Sequence, residues 1–159
     1  MKKAVALIFV LILFAFSACT AAPPIEETET PPADPPAAEQ EENMKIEIVI
    51  GAQTFTAELC ENETAKAWLS LLPQTLDMSE LNGNEKYYYM DAALPTDPSV
   101  PDGIRAGDLM LYGNDCLVLF YKSFSTSYSY TPLGKLDDPE GLAAALGAGD
   151  VQITFKKAS

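Results

Sequence analysis

Five tyrosines and two acids in this chain have the chemistry of ligand contact: Tyr87, Tyr112, Tyr121, Tyr128 and Tyr130, with Glu85 and Asp108. A tyrosine offers a broad apolar face and a hydroxyl at its tip, which suits peptide or sugar ligands. The same side chains could instead line a core and reach its rim with their hydroxyls. Histidine is absent, so the commonest general base and metal ligand at neutral pH is missing. No Ser-His-Asp or Cys-His arrangement can be assembled. The acids Asp97, Asp102 and Asp108 miss the alternate-residue ligand spacing of an EF-hand loop and read as loop punctuation. No metal and no cofactor is therefore expected. Cys60 and Cys116 each sit in an apolar run, which leaves open a disulfide in an oxidising envelope or two buried free thiols.

The remaining cysteine belongs to a different chemistry. Lys2 and Lys3 precede an apolar run from Ala4 to Phe16, and Ser17-Ala18-Cys19 closes it. This order of basic residues, short apolar stretch, small residues and cysteine is that of a bacterial lipoprotein signal. The thirteen residues from Ala4 to Phe16 fall short of the roughly 20 that a membrane-spanning helix needs. Cleavage before Cys19 and lipidation of its thiol would hold the chain on the extracytoplasmic face of the cell membrane. Phe16 departs from the leucine usual at that position, and ordinary secretion with cleavage near Ala22 is the alternative.

Residues 20–43 change character at once. Six prolines alternate with seven acids, there is no basic residue, and Ile25 is the one large aliphatic. Such a segment cannot bury enough apolar surface to offset its ordering entropy, and its charges repel. It reads as a semi-rigid spacer. The organisation expected is a signal over 1–18, a lipidated cysteine and stalk over 19–43, and one domain over 44–159. The sequence carries 23 acids against 10 bases, two of which are the signal's Lys2 and Lys3. An acidic domain argues against nucleic acid as a partner and against adsorption to anionic lipid. The expected partners are the membrane, through the lipid anchor, and an unknown peptide, protein or small-molecule ligand.

The elements that must position the tyrosines follow from alternation and turns. Residues 45–50 and 53–59 alternate polar and apolar around Gly51-Ala52, a β-hairpin pattern. Asn62 can cap a helix over 63–72 whose apolar stripe contains Trp68, and Pro73 stops it. Strands are predicted over 74–81 and 85–91 around Asn82-Gly83-Asn84. A second hairpin pairs 108–112 with 116–121, and short strands are predicted at 128–131 and 133–136. Asp138-Pro139 opens a helix closed by Gly147, and a last strand covers 151–155. Many short strands with glycine-rich turns imply a closed barrel or sandwich.

Several segments carry a more specific likeness. Met44-Lys45-Ile46 with Gly51, Leu71-Leu72-Pro73, Asn82 to Tyr87, Ala106 to Gly113, Phe120-Tyr121, Tyr128 to Thr131, Leu133-Gly134 and Ala145-Leu146-Gly147 resemble the bacterial cyclophilin-like domain family. The resemblance spans Met44 to Lys156 and implies a mainly β fold: a closed eight-stranded antiparallel barrel with two short capping helices. It also raises prolyl isomerisation. That chemistry needs a strong donor near the prolyl nitrogen, and the sole arginine, Arg105, lies in a loop away from any Phe-His-Arg strand. A non-enzymatic binding module is the expected function, with isomerisation as the alternative.

Overall fold

The computed structural model describes residues 44–159. The segments expected to be a signal and a stalk, with Cys19, lie outside the described residues. The first hairpin pairs β1 (Lys45–Ile50) with β2 (Gln53–Leu59) in antiparallel register from Lys45↔Glu58 to Ile50↔Gln53. Its alternation turns Ile46, Ile48, Ile50, Phe55, Ala57 and Leu59 into one core. Asn62 then caps α1 (Glu63–Ser70), its side-chain oxygen accepting from the Ala65 N–H at 2.8 Å. The helix ends two residues short of its expected limit. Leu71 and Leu72 donate to the carbonyls of Trp68 and Leu69 in three-residue turns as the chain approaches Pro73.

The remaining elements are β3 (Gln74–Leu81), β4 (Glu85–Tyr89), β5 (Asp108–Tyr112), β6 (Cys116–Phe120), β7 (Thr131–Leu136), α2 (Leu142–Leu146) and β8 (Val151–Lys157). All pairings are antiparallel and close in the order β1-β2-β7-β5-β6-β4-β3-β8, with β8 returning to β1. The eight-stranded barrel with two short helices is the architecture expected. Closure leaves no free sheet edge. Gly134 of β7 sits where the neighbouring strand comes closest. A side chain there would meet the Glu58 carbonyl at 2.5 Å and Leu59 Cα at 2.9 Å.

β4 ends at Tyr89, β6 ends at Phe120 and β8 runs on to Lys157, each one or two residues from its expected limit, and two elements differ more. Residues 128–130 form no strand; Tyr130 makes an isolated bridge with Ser99, and one strand runs from Thr131 to Leu136. Pro132 lies at the register shift against Met110, where its missing N–H costs the ladder least. The second helix starts at Leu142. Asp138 instead caps a turn, accepting from Glu140 N–H at 2.9 Å, and Gly141 at φ 81° separates that turn from the helix. Cys60 and Cys116 are both free thiols.

Strand β6 is buried along its whole length. Leu117 and Leu119 face the barrel core with Trp68, Phe155 and Leu109. Cys116, Val118 and Phe120 face the other way, into a second cluster with Ile104, Met110 and Tyr130. The segments 91–107 and 121–130 contribute Ile104, Phe124 and Tyr130 to that outer cluster. They are joined by two bridges, Ser99↔Tyr130 and Ile104↔Phe124, each with reciprocal backbone hydrogen bonds of 2.9–3.1 Å.

A charge lies in the barrel interior. Lys86 of β4 is fully buried opposite Glu80 of β3, and its ammonium donates to the Glu80 carboxylate, to Gly147 O at 3.1 Å and to Gly149 O at 2.6 Å. Each of its three N–H donors has an acceptor. The Tyr121 ring lies 5.4 Å from the same ammonium, and the Tyr121 hydroxyl is 2.9 Å from both Glu80 oxygens. Glu80 also accepts from Gly83 N–H at 2.8 Å. This network ties β3, β4 and the loop before β8 together at one mouth of the barrel.

Candidate ligand-binding site

The turn between β3 and β4 fixes one edge of the site. Asn82 and Gly83 both have positive φ, 55° and 69°, which an Asn-Gly pair adopts readily in a tight hairpin. The turn delivers Asn84 and Glu85 to the outer side of the wall. Strand parity does the rest: Glu85, Tyr87 and Tyr89 of β4 point outward, while Lys86 and Tyr88 point toward the core. Across the ladder, Tyr87 is opposite Val118 and Tyr89 opposite Cys116. Tyr112 of β5 stands beside Cys116 on the far side.

These side chains line a cavity of about 510 Å³ on the outside of the barrel. That volume is in the range of small-molecule sites. Tyr112 is its hub, 6.1 Å from the Tyr128 ring at 88° and 5.6 Å from Tyr130 at 53°. Tyr87 and Tyr89 form a second edge-to-face pair at 5.8 Å. Phe120 supports Tyr130 and Phe124 from behind, at 5.5 and 5.7 Å. The hydroxyl-rich segment 125–127 completes the lining. Leu81, Tyr89, Tyr112 and Tyr128 are four of the five exposed large hydrophobic residues among the described residues, and all four line this cavity.

Five of the seven residues expected to act together are brought together here: Glu85, Tyr87, Tyr112, Tyr128 and Tyr130. Tyr121 is not among them. One residue past outward-facing Phe120, it turns inward onto Lys86 and Glu80. Burial, then its hydrogen bond to Glu80, pushes its phenol up to about 12. Asp108 is also elsewhere, because its carboxylate accepts from the Arg105 N–H at 2.7 Å and closes the turn into β5. Tyr89 and Asn84 were missed by sequence reasoning. The alternation Glu85-x-Tyr87-x-Tyr89 was the signal that places Tyr89 with Tyr87.

The electrostatics of the cavity centre on Glu85. Glu85 is 9% exposed, and no hydrogen bond or ion pair to its side chain is found among the described residues. Burial, then the charge of Glu80, raises its carboxyl above the ordinary range. Burial, then the Glu85 charge, likewise raises the Tyr130 phenol. Burial, then Asp115, pushes the Cys116 thiol up to about 11, so it is protonated at neutral pH and supplies no thiolate. Among the described residues no group of three or more Cys, Asp or Glu side chains is placed to hold a metal ion.

A raised carboxyl pKa means that Glu85 binds a proton more tightly in the folded chain than in the unfolded one. Its contribution to stability is fully present below the unfolded value of about 4.3 and is lost as pH rises through the folded value. Glu85→Gln is therefore expected to melt higher than the native protein at pH 7 and alongside it at pH 3. Melting lower at pH 7 would show that the carboxylate has a partner.

The comparisons with known proteins agree with the barrel. The profile of the cyclophilin-like family matches residues 48–156, and the chain belongs to that family. Among curated proteins none matches. The fold is also similar to the solution structure of a hypothetical protein from Archaeoglobus fulgidus. The TM-score is 0.56 at 19% identity, over 76% of this chain and 99% of that one. At that identity the likeness concerns the fold alone.

Proposed function

We propose that this protein is an extracytoplasmic lipoprotein whose cyclophilin-like barrel is a non-enzymatic binding module, held off the membrane by its stalk. The observation that carries the binding reading is the gathering of exposed apolar side chains at one cavity. A large apolar cluster left open at a concave site marks interaction. Prolyl isomerisation has less support, because Arg105 lines an adjoining depression that shares Phe124 and Ser125 with the tyrosine cavity but is itself absent from that cavity. The binding reading is tested by mapping a chemically mixed fragment panel onto the full-length protein in detergent by NMR. Shifts clustered on Tyr112, Tyr128 and Glu85 support it, and shifts scattered over the barrel reject it.

The anchor rests on the sequence around Cys19 and has its own test. Cys19→Ser is expected to move the protein from the membrane fraction to the soluble fraction of cell lysates. Full retention in the membrane fraction would reject lipidation at this residue.

A further inference from the structure

We propose that the tyrosine cavity selects a small organic cation, an alkylammonium, which the Glu85 carboxylate and the tyrosine faces hold together. The inference rests on the reading of the cavity as a binding site and adds the charge of its ligand.

The argument begins with how this chain treats a buried charge elsewhere. Lys86, the next residue along β4, is fully buried and has an acceptor for each of its donors. Glu85 is nearly as deep and has none of the reverse kind. A carboxylate removed from water without a partner is costly, and folded chains pair such groups. Asn84, also among the cavity-lining residues, presents the same deficit: its side-chain oxygen is buried and has no hydrogen-bond partner. Two unmet acceptors thus belong to adjacent residues of the lining.

The rest of the lining fits the complement of those acceptors. No lysine or arginine lines the cavity, so no resident cation competes for Glu85. Lys122, whose ammonium would lie 3.9 Å from a side chain at Gly83, packs over the Tyr121 ring at 5.9 Å and forms no ion pair with Glu85. Tyrosine faces attract a cation through their negative quadrupole, and aromatic enclosures with a carboxylate are how ammonium groups are recognised. An anionic ligand would meet Glu85 as a like charge. A neutral donor could hydrogen-bond the carboxylate but would leave its charge uncompensated. The raised Glu85 carboxyl pKa is in keeping with the absence of a resident cation, since a bound one would lower it.

The test compares three probes of equal chain length on the full-length protein in nonionic detergent: n-butylammonium, n-butanol and butyrate, titrated by NMR. Butylammonium is expected to bind about tenfold or more tightly than butanol, as a charged hydrogen bond implies, with butyrate weakest. Glu85→Gln should abolish the preference for butylammonium over butanol. Butanol binding as tightly as butylammonium, or butyrate binding tightest, overturns the inference while leaving a binding site in place. Failure of all three probes overturns it too, and the fragment panel then decides whether the cavity binds anything. If Glu85→Gln does not fold, Tyr128→Ala at the exposed lip replaces it. It should weaken butylammonium more than butanol, and equal weakening overturns the inference.

Discussion

Lys86→Met is expected to lower the stability of the barrel by about 3 kcal/mol, the lower end of the range for breaking a buried ion pair. The lower end applies because Glu80 keeps 18% of its side-chain surface and can rehydrate, whereas the carbonyls of Gly147 and Gly149 each lose a charged donor. Methionine preserves most of the volume, so the loss reports the missing charge and hydrogen bonds. Urea unfolding would show an earlier midpoint with an unchanged slope. A pH series adds a second readout. Burial alone would raise the Glu80 carboxyl, but hydrogen bonds from Lys86, Tyr121 and the Gly83 N–H, with the Lys86 charge, overcome it and leave it below the ordinary value. Its contribution is therefore present above the unfolded value of about 4.3 and lost as pH falls through the folded value. Removing Lys86 removes the first of those lowering causes, so the stability gap between native and variant should be widest at neutral pH and narrow as pH falls through the Glu80 range. An unchanged urea midpoint at neutral pH would mean that the lysine is hydrated in solution.

Trp68→Ala should cost a similar or larger amount, about 3–5 kcal/mol, because it empties the largest side chain of the core. Trp68 holds α1 on β8 through an edge-to-face contact with Phe155 at 5.7 Å and 76°. Its indole N–H has no hydrogen-bond partner among the described residues. Trp68→Phe should therefore cost well under half as much. It loses volume but also removes an unpaired buried donor, which is itself unfavourable. Circular dichroism is the proper probe, since this is the chain's one tryptophan. Equal losses for the two variants would show that a buried water satisfies the indole.

Much of the barrel was legible in the sequence because its strands obey period-two alternation and its turns carry Asn, Gly and Pro. The Asn62 cap and the Asn82-Gly83 turn are local chemistry, readable one residue at a time. The Lys86–Glu80 pair was not, because its partners are six residues apart on two strands and a lysine in a strand ordinarily points to water. Parity could have separated the tyrosines. Phe120 and Tyr121 are neighbours in an extended segment and cannot face the same side, so Tyr121 could not share a surface with Tyr87 and Tyr112. The uninterrupted apolar run Cys116–Phe120 was a further clue, since a strand without alternation is covered on both faces. It pointed to the outer wall. Asp108 illustrates the opposite case: its fate as a turn cap depends on a single backbone N–H, which no spacing rule reveals.

The two-sided burial of β6 has a consequence for how this family can diverge. One strand serves as a party wall, with odd-numbered positions belonging to the structure and even-numbered ones to the surface outside it. On the proposed binding role, substitutions at Cys116 or Val118, which line the cavity, would change its lining while Leu117 and Leu119 keep the barrel core. Latitude in the lining and constraint from the architecture then fall on alternate residues of the same five-residue segment.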